Sequence, residues 1–192
     1  LALGAGPFNI EDWTRPVSGP AAGERATFTQ TSRAYATQAG NLKLPAATQG
    51  VILITRVNET AFAAGSESDT FPVTCNSPTL VIQPLPAPAP TVFNGAVGEF
   101  AISSTLSAAT GKVGEAVVWT VRVTGTGNWP KIRALPARTV SRDFDYVKPV
   151  LKRNMKPETL FNGDLTEELT LIPTKAGSYQ LGPIRFVYFN PQ

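Results

Sequence analysis

Apolar and polar residues alternate with a period of two in several short segments of the chain. In "EFAISSTL" the apolar positions are Phe100, Ile102 and Leu106, and in "VVWTVRV" Val117, Trp119, Val121 and Val123 alternate with Val118, Thr120 and Arg122. This period is typical of half-buried β-strands. No long segment has the three-and-four spacing of an amphipathic helix, so the pattern predicts an all-β protein.

Further strands are predicted in both halves. "TEELTLIP" and "SYQLGPIRFVYF" complete the C-terminal set, with a bulge or bend at Gly182-Pro183, and "VILITRV" and "PTLVIQP" are strand-like in the N-terminal half. Short strands at such intervals, separated by turn residues, are typical of an immunoglobulin-like sandwich.

The proline-rich segment "PLPAPAP", Pro84 to Pro90, predicts a stiff extended linker that divides the chain. "TQAGNLKLP" in the first half resembles "TKAGSYQLGP" in the second, which indicates two related domains. We therefore predict two immunoglobulin-like β-sandwich domains in tandem, over residues 1–85 and 92–192. From the position of the repeat in each half, we expect the first domain to lack its opening strands and the second its last.

Composition narrows the possible chemistry. The chain has 192 residues, of which 42% are hydrophobic and 16% charged, with one cysteine and no histidine. Ser-His-Asp and Cys-His catalysis, histidine-ligated zinc and a disulfide within the chain are thereby excluded. The longest apolar run, "VILI", is far shorter than the roughly 18 residues of a membrane-spanning helix. We predict no catalytic, cofactor-binding or metal-binding residues.

Gly125 and Gly127 in "VTGTGNWPKI" have two possible interpretations, a phosphate-binding loop and a turn. A phosphate loop needs a helix behind it, whose N-terminal N–H groups face the anion. Pro130 and Pro136 follow instead, and no Lys-Ser or Lys-Thr pair stands in the required place. We interpret the glycines as a tight connection between strands at one end of a sandwich.

Three segments in order resemble the BatD oxygen-tolerance (aerotolerance) family of bacteria. They are "PLPAPAPTVFNGAVGEFAISSTL", "GKVGEAVVWTVRVTGTGNW" and "LTLIPTKAGSYQLGPIRFVYFNP", and the resemblance covers about residues 78 to 191 well. The first half is similar only loosely, and Trp129 stands where the family commonly has a smaller aliphatic residue.

The resemblance implies a periplasmic protein of the Gram-negative envelope, anchored by a membrane helix farther along and involved in oxygen tolerance and stress resistance. Its expected partners are envelope or membrane proteins, including von Willebrand factor A-domain proteins of the same operon. No catalytic residue is transferred by the resemblance.

Two groups of residues are candidates for binding a partner. Asn128 and Trp129 lie on the loop after the glycines, where Trp129 stacks on a sugar or anchors a protein in one interpretation and caps the core in the other. The second group is a basic run with eight cationic residues against Asp143 and Asp145. It either steers an acidic partner or forms a solvated loop. The cations are Lys131, Arg133, Arg138, Arg142, Lys148, Lys152, Arg153 and Lys156.

Other candidates have weaker support. Asp143 and Asp145 in "DFDY" have a spacing that could hold a hard cation. In the alternative interpretation both are ordinary surface charges. Cys75 has no basic neighbour in sequence, so an inert thiol is favoured over a redox sensor. Aromatic residues are too sparse in the basic run for a nucleic-acid platform, and we expect no nucleic-acid partner.

We conclude from the sequence that the chain is a non-enzymatic interaction or scaffold module. The alternative is a carbohydrate-binding or cell-adhesion sandwich that uses Trp129. A hydrolase built on Asp143, Asp145 and Glu158 is a further rival, which would need these carboxylates to converge in a cleft.

Overall fold

A computed structural model describes residues 6–19, 27–60, 63–156 and 161–192 of the chain. The described residues form β-strands and a single 3₁₀ turn, so the predicted all-β class is confirmed. The chain divides into two compact units, Leu1–Pro84 and Leu85–Gln192.

Unit 1 contains short strand pairs and one long hairpin. Strand β1 pairs with β4, β2 with β3, β5 with β8 and β6 with β7, and all of these pairs are antiparallel. The strands are β1 (Phe8–Ile10), β2 (Val17–Ser18), β3 (Phe28–Thr29), β4 (Ala34–Ala36), β5 (Gly40–Lys43), β6 (Thr48–Thr60), β7 (Ala63–Thr74) and β8 (Thr79–Ile82).

The "TQAGNLKLP" segment of unit 1 forms β5, and Leu42 in this strand is buried while Lys43 is exposed. Leu42 thus faces a core, as the alternation of a half-buried strand requires. Elsewhere in the unit, the guanidinium group of Arg33 donates two hydrogen bonds to the buried carboxylate of Glu11.

Unit 2 is built on one four-stranded antiparallel sheet with the order β11-β12-β10-β9. Its strands are β9 (Gly98–Leu106), β10 (Val117–Gly127), β11 (Phe144–Met155) and β12 (Asn162–Pro173). The two central strands, β10 and β12, are those with the clearest alternation in the sequence, because one face of each lies against the core.

The inner face of this sheet carries the core of unit 2. Trp119, Val121 and Val123 of β10 lie beside Leu165 and Leu169 of β12, and all five side chains are buried. The outer face is polar, and Arg122 forms an ion pair with Asp164 there at 3.0 Å. The sheet therefore has one buried face and one face in water.

Irregular chain, not a second regular sheet, covers the inner face among the described residues. The segment "SYQLGPIRFVYF" forms no strand, contrary to the sequence prediction, and only a single bridge joins Phe189 to Val97. A bend at Gly182, whose φ is +113°, interrupts this segment. Four of its apolar side chains nevertheless pack on the core: Leu181, Ile184, Phe186 and Tyr188. The alternating pattern of this segment therefore indicates burial, although the backbone is not paired in a strand.

Gly125 and Gly127 lie inside β10 and not in a turn, which corrects the interpretation of the sequence. At Gly125, φ is +152°, and a Cβ atom there would lie 2.8 Å from the Cα of Phe100 on β9. A Cβ on Gly127 would lie 2.5 Å from the ring of Phe100. The glycines thus let β9 and the Phe100 ring approach the end of β10 closely.

Trp129 completes this end of the core. It begins the 3₁₀ turn Trp129–Lys131, is fully buried and packs edge-on against Phe100, with 5.2 Å between ring centroids. Its indole N–H donates to the carbonyl oxygen of Gly125 at 3.1 Å. Aromatic rings in this edge-to-face arrangement stabilise a core beyond their buried area.

The loop between the 3₁₀ turn and β11 covers part of the core, and a buried arginine in this loop binds the sheet. The side chain of Arg138 is only 3% exposed, pairs with Glu167 of β12 and donates to the carbonyl oxygen of Trp119. Its guanidinium group also lies 5.1 Å from the centre of the Trp119 ring. A charge so far from water requires these partners.

Replacement of Gly127 by Ala is expected to destabilise unit 2 by about 1–3 kcal/mol, because the added methyl group overlaps the Phe100 ring in a packed core. Thermal unfolding followed by circular dichroism measures the change. Gly111→Ala is the matched control, since a Cβ there would meet Glu115 at 3.6 Å, an ordinary contact. Equal melting temperatures for the two variants would contradict this account of β10.

Replacement of Arg138 by Ala is expected to destabilise the chain by about 3 kcal/mol or more, since Glu167 is left with an unpaired and largely buried charge. The double variant Arg138→Leu/Glu167→Leu is expected to recover most of that loss, because it removes both charges. Urea unfolding of the three proteins tests this. A double variant as unstable as the single one would show that the pair itself is not the cause.

Candidate protein-docking edge

The two loop residues predicted to bind a partner lie inside the fold. Trp129 is completely buried, as the core-cap interpretation requires, so its ring has no free face for a sugar or a protein. The Asn128 side chain accepts from the N–H of Val97 at 2.7 Å and donates to the carbonyl oxygen of Gly95 at 2.9 Å. Both residues hold the end of the sheet together.

Three of the eight cations in the basic run have internal partners. Arg138 pairs with Glu167, and Lys152 forms an ion pair with Glu168 at 2.9 Å on the outer face. Arg153 donates to the carbonyl oxygens of Trp129 and Ile132 and so closes the end of the 3₁₀ turn. These contacts are structural, although Arg153 has no acidic partner among the described residues.

The other five cations are exposed and make no side-chain hydrogen bond or ion pair with any described residue. They flank β11: one ends the 3₁₀ turn that Arg153 contacts, one follows that turn, one precedes the strand, one lies within it and one follows it. We call this set the basic edge: Lys131, Arg133, Arg142, Lys148 and Lys156.

The sequence predicts a binding surface or a solvated loop in the basic run, whereas residues 144–155 of it form strand β11. In the part of the chain that the structure describes, β11 pairs only with β12, so its other side is a free edge. The ladder shifts register between Val147 and Val150, which leaves Lys148 and Pro149 without partners. Pro149 and the run of charges make the sequence of β11 unlike that of a typical strand. Both features are common in edge strands, where they prevent pairing with the strands of other molecules.

Apolar side chains are exposed along the same edge. Tyr146 is 64% exposed and Val150 55%, and Val147 and Leu151 are also exposed. The pairing register places Tyr146 and Leu151 on the inner face and Val147 and Val150 on the outer face. The alternation of the sequence does not mark these four residues, because the bulge between Val147 and Val150 interrupts it.

This edge combines three properties that binding surfaces use. Unpaired main-chain groups accept an added strand, exposed apolar and aromatic side chains supply contact area, and unpaired cations steer an acidic surface. Of the described acidic residues near β11, only Asp145 has no cationic partner.

Asp143 and Asp145 do not form a metal site with a third ligand. Among the described residues no group of three or more histidine, cysteine, aspartate or glutamate side chains could hold a metal ion. Asp143 instead pairs with Lys175 at 3.0 Å. The hydrogen bond from Lys175 holds the pKa of Asp143 below its usual value. Glu158, the third carboxylate of the hydrolase alternative, lies outside the described residues.

Cys75 is an exposed free thiol, and its sulfur accepts a hydrogen bond from the N–H of Ala47 at 3.1 Å. No helix of the described residues is long and apolar enough to cross a membrane.

The Asp143–Lys175 pair gives a pH-dependent prediction. Because the pKa of Asp143 is lowered in the folded state, its stabilising effect is present at neutral pH and is lost as the pH falls below about 4. Lys175→Gln is expected to raise the pKa of Asp143 towards its ordinary value. Carboxyl chemical shifts measured by NMR during an acid titration test this, with Lys152→Gln as the control. An unchanged pKa for Asp143 would contradict the pairing.

Comparison with known proteins finds a family similarity in the C-terminal part of the chain. Residues 104–192 match the family model described as BatD DUF11 like domain. No curated protein and no solved structure matches the chain. The match includes β10, β11 and β12, and hence the whole free edge of β11. The resemblance to the BatD family predicted from the sequence is confirmed over residues 104–192, which are similar to the DUF11-like domain of that family.

Proposed function

We propose that this chain is a non-enzymatic interaction module of a membrane-anchored, periplasmic BatD-like protein that contributes to oxygen tolerance and stress resistance. In this proposal the chain binds and positions other proteins, and it catalyses no reaction.

The free edge of β11 is the observation that carries the proposal. Exposed Tyr146, Val147, Val150 and Leu151 offer apolar contact area, and the basic edge surrounds them with unpaired positive charge. Binding sites between proteins typically have such apolar centres with a polar rim. The partner should therefore present an acidic rim around an apolar centre.

The proposed fold is a tandem of two immunoglobulin-like domains, one in each unit. The antiparallel sheet of unit 2, with Trp119 buried on its inner face, supports this for the second domain. The segment Pro84–Pro90 contains no helix or strand, in keeping with a linker of the polyproline type.

The proposed partners are envelope or membrane proteins, and first among them the von Willebrand factor A-domain proteins encoded beside BatD-family proteins. This choice rests on the family match, since the family implies that operon. The carbohydrate-binding alternative depended on Trp129, which is buried, so we do not propose it.

Charge reversal at the basic edge tests the docking role. The triple variant Arg133→Glu/Arg142→Glu/Lys148→Glu is expected to bind a purified von Willebrand factor A-domain partner at least about tenfold more weakly, because three steering cations become repulsive. The affinity of the parent chain should also fall as salt is raised. Surface plasmon resonance measures both effects.

The matched control is Arg15→Glu/Lys43→Glu/Arg185→Glu, which reverses three exposed cations elsewhere. Both triple variants change the net charge of the chain from +3 to −3. Equal weakening in the two variants would show that only total charge matters, and retained binding in both would remove the basic edge from the contact.

A further inference from the structure

The dipeptide Asn-Gly occurs twice in the chain, at Asn94–Gly95 and at Asn162–Gly163, and a phenylalanine precedes it both times. Asparagine loses its side-chain ammonia most readily before glycine, because glycine has no side chain to obstruct its own backbone nitrogen and its backbone turns freely. The two sites share the tripeptide Phe-Asn-Gly, so a large difference between their reactivities in the folded protein comes from the structure around them.

The structure leaves Asn94–Gly95 open. Asn94 is exposed, precedes β9, and its side chain makes no hydrogen bond with any described residue. The N–H group of Gly95 likewise donates to none of the residues that the structure describes. Apart from its chain neighbours, no heavy atom lies within 4 Å of the position that a Cβ on Gly95 would take. Both reacting groups are therefore unhindered.

Asn162–Gly163 is enclosed, although its local sequence is the same. Gly163 is paired with β10 on one side and with β11 on the other. A Cβ on Gly163 would lie 2.6 Å from the sulfur atom of Met155. The side-chain oxygen of Asn162 accepts a hydrogen bond from the hydroxyl group of Thr126 at 2.9 Å. The sheet must open locally before the nitrogen of Gly163 can reach the side chain of Asn162.

We propose that Asn94 is a site of spontaneous covalent modification, at which the folded chain converts the Asn94–Gly95 linkage to aspartate and isoaspartate. The only co-reactant is water. The proposal goes beyond the docking role of β11 and does not depend on it, because Asn94 lies neither in β11 nor in the basic edge.

The reaction begins at the backbone nitrogen of Gly95. This nitrogen loses its proton and attacks Cγ of the Asn94 side chain, which forms an N–Cγ bond and closes a succinimide ring. The Cγ–Nδ2 bond breaks, and the nitrogen leaves as ammonia with the released proton. Water then opens the ring: cleavage at Cγ gives aspartate, and cleavage at the main-chain carbonyl carbon gives isoaspartate. Either route consumes one water and releases one ammonia.

The modification changes the charge of the chain. The neutral amide becomes a carboxylate, so the acidic residues rise from 14 to 15 against 17 basic residues, and the net charge falls from +3 to +2. The new charge lies between the segment Pro84–Pro90 and β9. An acidic form of the chain should therefore accumulate as the folded protein ages.

The test compares the two Asn-Gly sites in one protein. The 192-residue chain is incubated folded in mildly alkaline buffer and then digested at acidic pH, and mass spectrometry follows the peptides that contain Asn94 and Asn162. Asn94 should be lost at least about tenfold faster than Asn162, since the sheet must open before Asn162 can react. The same incubation in concentrated urea should bring the two rates close together, because unfolding removes the sheet around Asn162.

Two variants assign the acidic form, which ion-exchange chromatography separates from the parent. Asn94→Gln should prevent its accumulation, because the longer glutamine side chain closes the corresponding ring far more slowly. The matched control Asn76→Gln replaces another exposed asparagine, which precedes serine, and should leave the accumulation unchanged. Both positions are exposed, so melting temperatures should stay close to that of the parent.

Three outcomes would overturn the proposal: Asn94 and Asn162 react at equal rates in the folded chain, Asn94 reacts only in urea, or the acidic form still accumulates at the parent rate in Asn94→Gln. The affinity of the basic-edge variant for the A-domain partner is measured separately and decides only the docking role of β11.

Discussion

The packing of Phe100 against Trp129 at the end of β10 is the interaction on which the rest of unit 2 depends. Two glycines make it possible, because a side chain at either position would occupy the space of the Phe100 ring or its backbone. Trp129 then begins the covering loop, and Arg153 binds the carbonyl groups at the end of that turn. The exposed Lys131 and Arg133 are held beside β11 as a result.

The charges of unit 2 divide into those that hold the fold and those that remain for binding. Arg138 is buried against Glu167 and the Trp119 ring, and Lys152 and Arg122 are paired on the outer face. After these contacts are made, five unpaired cations remain around the free edge of β11. An edge that also exposes Tyr146 is suited to a protein partner, which is the basis of the proposed function.

The all-β class and the two central strands of unit 2 could be predicted from the sequence, because each central strand has one buried face that imposes a period of two. The edge strand β11 could not, since its side chains are exposed on both faces and Pro149 and the bulge break the alternation. The last apolar segment was predicted as a strand because its side chains are buried, but burial alone does not require a ladder. The run of positive charge was visible in the sequence, whereas its division into paired and unpaired cations depended on contacts distant along the chain. Trp129 illustrates the same limit, since the composition of its loop suits both a core cap and a binding site.

The central claim is that the free edge of β11 is the docking surface, and amide hydrogen exchange tests it most directly. The measurement compares the 192-residue chain alone with the chain bound to a von Willebrand factor A-domain partner, followed peptide by peptide with mass spectrometry. The account predicts that protection on binding is concentrated in Phe144–Met155 and in the adjoining residues 131–133. Protection confined to other strands, with β11 exchanging at the same rate in both states, would contradict it.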